Sequence, residues 1–334
     1  MIRPMAEIDY KWPTIGNEKV IEFLERGLKN DRIAQTYVFT GADDLGKSTI
    51  ALAFADNLQG HPQGFNSDLH ILEPEAEKKS ISIEAVREFI KTLNLSSFLN
   101  SYKIGIIKQA DLMSPEAKSA LLKTLEEPKE KVIIILLAVD EHNLPETILS
   151  RAQVLYFYPV PAATIYDYLL NNQGANRNLA KDLSSLALGR PLVALKLFEN
   201  PGAYEAYLEK AASWLELMRL GASDRLSVLD KIFIDKTWSK SAVESANAVI
   251  LMAEGLARDL LLLSLDKDEH LQHSALKSEL EKTLESLGVN RVDGGGNFNA
   301  ADLLNQFRIL AQAKEYLAGN VNPRLVLEQI ILNF

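Results

Sequence analysis

The sequence predicts an α/β domain built on a parallel sheet, followed by an all-helical region. Three observations carry this. Short β-branched and aromatic runs alternate with helical patterns through the first half of the chain. One run, Val132–Val139, is apolar without interruption, as expected of a strand covered by helices on both faces. After Pro161 no such run recurs, and helical periodicity dominates.

Glu18 to Lys29 sets Val20, Ile21, Leu24 and Leu28 on a helical period, which predicts the first helix. Tyr37-Val-Phe-Thr40 is the first strand. It runs into Gly41-Ala-Asp-Asp-Leu-Gly46-Lys47-Ser48-Thr49 and then into the helix-forming run Ile50–Leu58. Strand, G-x-x-x-x-G-K-S loop and helix, in that order, form a phosphate cradle. The glycines let the loop curl with its N–H groups inward, and the helix N-terminus adds positive potential. Lys47 is expected to reach the β- and γ-phosphates and Ser48 to ligate Mg²⁺. The expected nucleotide-binding residues are therefore Gly41, Gly46, Lys47, Ser48 and Thr49, with ATP or ADP and Mg²⁺ as ligand.

Gly60–Ser67 reads as a loop and Leu69–Leu72 as a short strand. Ile83–Leu93 reads as a helix with Ile83, Val86, Phe89, Ile90 and Leu93 on one face. Tyr102–Ile107 is a third strand. Ser114 and Pro115 form a helix start, Ala117, Ala120, Leu121 and Leu125 its buried stripe, and Pro128 its stop. Val132–Val139 is the fourth strand, Leu144–Leu149 a short helix or turn, and Val154–Tyr158 the fifth strand. Ligands of such sheets sit at the carboxyl ends of the strands. The helical remainder is broken at Asp293-Gly-Gly-Gly-Asn297 and closes with helices at Ala300–Leu317 and Pro323–Leu332.

Composition narrows the function classes. At 334 residues the chain exceeds one typical core. There is no cysteine, which excludes disulfides and Cys-based zinc sites. His61, His70, His142, His270 and His273 lack ligand spacing, so no zinc is expected. A net charge of -9 argues against strong nucleic-acid binding by the chain alone. The N-terminus lacks the apolar core of a signal peptide, and every apolar run is too short to span a bilayer, so a cytoplasmic protein without membrane contact is expected.

Five stretches carry a family resemblance: Ala34–Ser48, Asp68-Leu-His-Ile-Leu-Glu-Pro74, Ala117–Pro128, Thr147-Ile-Leu-Ser-Arg151-Ala-Gln153 and Asn320-Val-Asn-Pro-Arg324-Leu-Val-Leu-Glu328. With them the chain resembles the AAA+ clamp-loader family. The resemblance implies a RecA-like P-loop domain at 1–160, a small helical lid at 161–205 and a helical collar for oligomerisation at 206–334. It implies gamma/tau and delta subunits as partners in a hetero-pentamer that opens a sliding clamp and loads it on primed DNA. Within it, this chain is expected to act as a stator. The four-cysteine zinc module of many relatives is absent here.

The family's paired carboxylates directly after the third strand are replaced by Lys108 and Gln109. Lysine puts positive charge where a divalent cation binds, and glutamine cannot act as a carboxylate base. Asp111, three residues on from Lys108, reads as a turn or cap residue. The polar sensor position falls near Val139, and the lid's sensor arginine at Leu192, with Arg190 close by. The chain is therefore expected to bind nucleotide without useful hydrolysis. Arg151 holds the family's finger position, with Ala152 in place of cysteine, and is expected to act on a neighbour's ATP. Such fingers contribute roughly 10³–10⁵-fold in rate. Glu126-Glu127 reads as a solvated helix end or an interface, and the lysines at 103, 108, 118, 123, 129 and 131 as a charged solvent face. The alternative is an active ATPase of the gamma/tau type; a P-loop kinase is disfavoured by the helical last third.

Overall fold

The computed structural model describes residues 10–13, 15–59, 68–75, 80–95, 102–127, 129–233, 239–287 and 300–333. The loops expected at 60–67 and 293–297, His61 and the stop residue Pro128 lie outside them. The chain divides into two compact units. One is Met1–Tyr168 with Gly189–Val193; the other is Leu169–Leu188 with Ala194–Phe334.

In chain order the first unit begins α1 (Glu18–Lys29), β1 (Thr36–Thr40), α2 (Lys47–Gln59), β2 (Leu69–Leu72) and α3 (Ile83–Leu93). It continues with β3 (Lys103–Ile107), α4 (Pro115–Glu126), β4 (Val132–Ala138), α5 (Glu146–Leu149) and β5 (Gln153–Tyr156). All five expected strands are present in one parallel sheet of order β2-β3-β4-β1-β5. This is the parallel α/β sheet that the alternation of strands and helices predicts.

The uninterrupted apolar run becomes the central strand. All seven residues of β4 are buried, and the strand's alternation divides them between two cores. Val132, Ile134, Leu136 and Ala138 pack with Val86, Phe89 and Leu93 of α3 and with Ala117, Leu121 and Leu125 of α4. Ile133, Ile135 and Leu137 pack on the other face with Leu24 of α1 and Ile50 and Phe54 of α2. Ser114 caps α4 as expected, its Oγ accepting from the Ala117 N–H at 3.1 Å.

Three readings change. Ala120 is only half-buried, because it lies beside the stripe made by Ala117, Leu121 and Leu125 at four-residue steps. Val139 is 43% exposed and lies beyond the end of β4. Lys103 does not face solvent: it is buried at the start of β3, its Nζ donating to the Leu95 carbonyl at 3.2 Å with Asp68 Oδ1 at 4.0 Å. Those partners offset the desolvation of the ammonium.

Helices α6 (Ala162–Asn171), α7 (Arg177–Leu186), α8 (Pro191–Glu199), α9 (Pro201–Arg219), α10 (Ala222–Ile232), α11 (Lys240–Ser264), α12 (Lys277–Ser286), α13 (Ala300–Ala318) and α14 (Pro323–Leu332) follow. The second unit is all-helical. Its core joins Trp214 and Leu215 of α9, Ile250, Leu256 and Leu260 of α11, Leu280 of α12, Leu310 of α13 and Leu327 of α14. A buried polar cluster lies within this unit. The fully buried Asp259 accepts from the backbone N–H of Gln272 at 2.9 Å and of His273 at 2.7 Å. Its Oδ2 also meets His273 Nδ1 at 2.8 Å, and His273 Nε2 lies 2.7 Å from the Tyr207 hydroxyl. His273 is thus a packing residue with both ring nitrogens satisfied.

Candidate functional site

The Gly41–Thr49 loop borders a cavity of ≈ 310 Å³ at the carboxyl ends of the strands. Gly46, Lys47 and Ser48 line it. Glu73 and Pro74 enter from the end of β2, Lys108 and Gln109 from the end of β3, and Leu137 to Val139 from the end of β4. Gly41 and Thr49 are not among the lining residues: Gly41 starts the loop, and Thr49 is exposed on the first turn of α2.

The loop conformation is dictated by close packing. Gly41 has φ +143°, and a Cβ there would stand 2.4 Å from the Phe157 carbonyl oxygen. Only glycine fits. Asp44 is also left-handed, at φ 62°, and its carbonyl accepts from the Leu192 N–H at 3.2 Å. Asn17 makes a second tie: its Nδ2 donates to the Leu45 carbonyl at 3.2 Å, while its Oδ1 accepts from the Tyr158 N–H at 3.0 Å. Asn17 directly precedes α1, far from this loop in sequence. Only the fold brings it under the phosphate loop.

Lys47 turns back into its own loop. Its Nζ donates to the carbonyl of Gly41 and, at 2.9 Å, to that of Ala42, with Asp43 Oδ1 at 3.8 Å. Burial lowers its pKa, and the charges of Asp43, Asp111 and Asp44 oppose that shift.

Lys108 faces the same cavity and forms a 2.6 Å ion pair with Glu73. Gln109 follows in the left-handed region at φ 51°, exposed at the cavity wall. The end of β3 therefore offers an ammonium and an amide. Asp111 sits in a short turn at Ala110–Leu112, does not line the cavity, and has one buried carboxylate oxygen with no hydrogen-bond partner among the described residues. Asp43 and Glu73, which do line it, each stand against a lysine. Among the described residues no cluster of three or more His, Asp or Glu side chains is placed to hold a metal. Asp44 lines the cavity as well, but at the end of β3, where a metal-holding carboxylate would stand, the donors are an ammonium and an amide, which suit an anion and do not fit a divalent cation. Val139 and Leu192, the two sensor positions, line the cavity with apolar side chains, and Arg190 does not line it.

Arg151 lies outside the cavity, just past α5. Its Nη1 donates to the Thr147 carbonyl at 2.9 Å, and its Nη2 pairs with Glu126 Oε1 at 3.0 Å. Both side chains are exposed. The adjacent Glu126-Glu127 thus has a specific partner for its first member, which the sequence alone did not reveal.

Comparison with known proteins agrees with this architecture. A family model described as DNA polymerase III, delta subunit, matches residues 16–161. The chain is 25% identical to DNA polymerase III subunit delta' of Bacillus subtilis (strain 168) over 337 residues, covering 94% of each. It is also 25% identical to DNA polymerase III subunit tau of that organism over 345 residues, covering 95% of this chain and 60% of that protein. Against DNA polymerase III subunit delta' of Escherichia coli (strain K12), identity is 31% over 247 residues, covering 68% of this chain and 71% of that protein. The chain belongs to the DNA polymerase III delta' subunit family.

Proposed function

We propose that this chain is the stator of a DNA polymerase III clamp loader, a subunit that holds nucleotide without hydrolysing it and completes the site of a neighbour. The supporting observation is the end of β3, where Lys108 and Gln109 face the cavity in place of a metal-holding and a water-activating carboxylate. Apolar Val139 and Leu192 at the sensor positions support the same reading.

In this reading ATP or ADP occupies the cavity against Gly46, Lys47 and Ser48, while the ammonium of Lys108 at the end of β3 does not fit the Mg²⁺ that Ser48 is expected to ligate. This chain's residues orient the nucleotide and exclude water. Arg151 reaches the ATP of an adjacent gamma/tau subunit, and its exposure on the surface is compatible with that role. The helical lid at 161–205 and collar at 206–334 connect the P-loop domain to gamma/tau and delta subunits in a hetero-pentamer. Clamp and primed DNA are met through that assembly. No described helix is long and apolar enough to cross a membrane, in keeping with a cytoplasmic complex.

The match to the tau subunit over 95% of the chain favours one other reading, an active motor of the gamma/tau type. ATP turnover separates the two. The stator is silent alone and raises turnover when mixed with gamma/tau, delta, clamp and primed DNA. Turnover by the isolated chain that is abolished by Lys47→Ala would establish the motor instead.

A further inference from the structure

We propose that the cavity binds the polyphosphate of a nucleotide without a divalent cation, with the Lys108 ammonium supplying the charge that a metal would carry and Glu73 as the internal acid that the phosphates displace. This rests on reading the cavity as a retained nucleotide cradle.

Two lysines line one cavity beside Asp43, half-buried Asp44 and Glu73, and each lysine is less exposed than the carboxylate it stands against. The Lys47 side chain is 8% exposed and that of Lys108 is 32% exposed, whereas their partners Asp43 and Glu73 are 66% and 55% exposed. Solvated rim carboxylates are screened by water, while partly desolvated ammonium groups interact strongly with an anion brought against them. Strand order sets the spacing. β1, which delivers the loop, and β3, which delivers Lys108, flank β4, so their ends stand about 10 Å apart. A chain of phosphates bridges that gap when Lys47 exchanges the carbonyls of Gly41 and Ala42 for it, with Lys108 already facing the cavity.

A metal finds the opposite environment. A cation held by Ser48 would share the cavity with the Lys108 ammonium, and like charges at such range repel. Any metal held by Glu73 would stand beside the Lys108 ammonium, which Glu73 Oε1 meets at 2.6 Å. The same pair sets the cost of binding a nucleotide: the phosphates must compete with Glu73 for Lys108.

The test is a calorimetric titration of the full chain with ADP and with ATP, in EDTA and in excess Mg²⁺. Binding in EDTA should be at least as tight as in Mg²⁺. Lys108→Ala should weaken binding in EDTA about tenfold or more, the worth of a charge-assisted hydrogen bond. Glu73→Gln should tighten it several-fold, a gain that misfolding cannot mimic. A tenfold tightening by Mg²⁺ in the unmodified chain, or no effect of Lys108→Ala in EDTA, overturns the proposal and leaves the cradle standing. Absence of binding in both buffers, with Glu73→Gln as well, overturns the cradle reading and this proposal with it.

Discussion

Arg151 and Glu126 form a 3.0 Å ion pair between the end of α5 and the end of α4. The pair holds the guanidinium at the surface with a second anchor on the Thr147 carbonyl. An arginine parked on a carboxylate is ordered but not buried, and can exchange that partner for a more highly charged phosphate.

Arg151→Ala should therefore leave folding intact, since exposed pairs contribute about 0–1 kcal/mol. In the reconstituted complex it should lower ATP turnover by an order of magnitude or more. Glu126→Gln should keep or raise turnover. Steady-state ATPase assays with partner subunits check both, and unchanged turnover in Arg151→Ala would remove the residue from the mechanism.

Gly41→Ala should destabilise the first unit. The added methyl would meet the Phe157 carbonyl at a backbone angle that glycine alone adopts readily. A loss of ~1–3 kcal/mol is expected in urea unfolding, with weaker nucleotide binding. A variant as stable as the parent would mean that the loop relaxes without cost.

Asp259→Ala should be far more damaging than any surface change in the second unit. It would strand the N–H groups of Gln272 and His273 and the His273 ring in a dry core. Breaking such a buried pair costs about 3–5 kcal/mol. Chemical denaturation measures it, and a loss below 1 kcal/mol, well under that range, would show that water enters the site.

Tyr204 gives the second unit an alkaline dependence. Burial and the charge of Asp182, whose Oδ2 lies 3.5 Å from its hydroxyl, push its pKa up to about 12. The folded state thus holds this proton more tightly than the unfolded chain. The stabilisation is full below the ordinary tyrosine value and is lost as pH rises from there through about 12. Tyr204→Phe should flatten that part of the stability curve, and denaturation midpoints across the alkaline range check it.

Much of this was legible from residues alone because it is written in local pattern. The alternation of strands and helices and the capping of α4 by Ser114 are short-range effects, and each expected strand is found. The glycine, lysine and serine of the loop predict a phosphate cradle by chemistry and spacing. Other features depend on residues distant in sequence. Nothing local marks Glu73 as the partner of Lys108, Glu126 as that of Arg151, or Asn17 as a tie beneath the loop.

The sequence by itself determined the order of elements, the cradle's residue types and the absence of carboxylates at positions 108 and 109. Tertiary structure alone decided which charges face one another. A strand's neighbours are set by topology, and the order β2-β3-β4-β1-β5 carries Glu73, Lys108 and Lys47 to one rim from separate parts of the chain. That convergence determines what the cavity can bind, because the strength of a charge depends on its partners and on the water left around it.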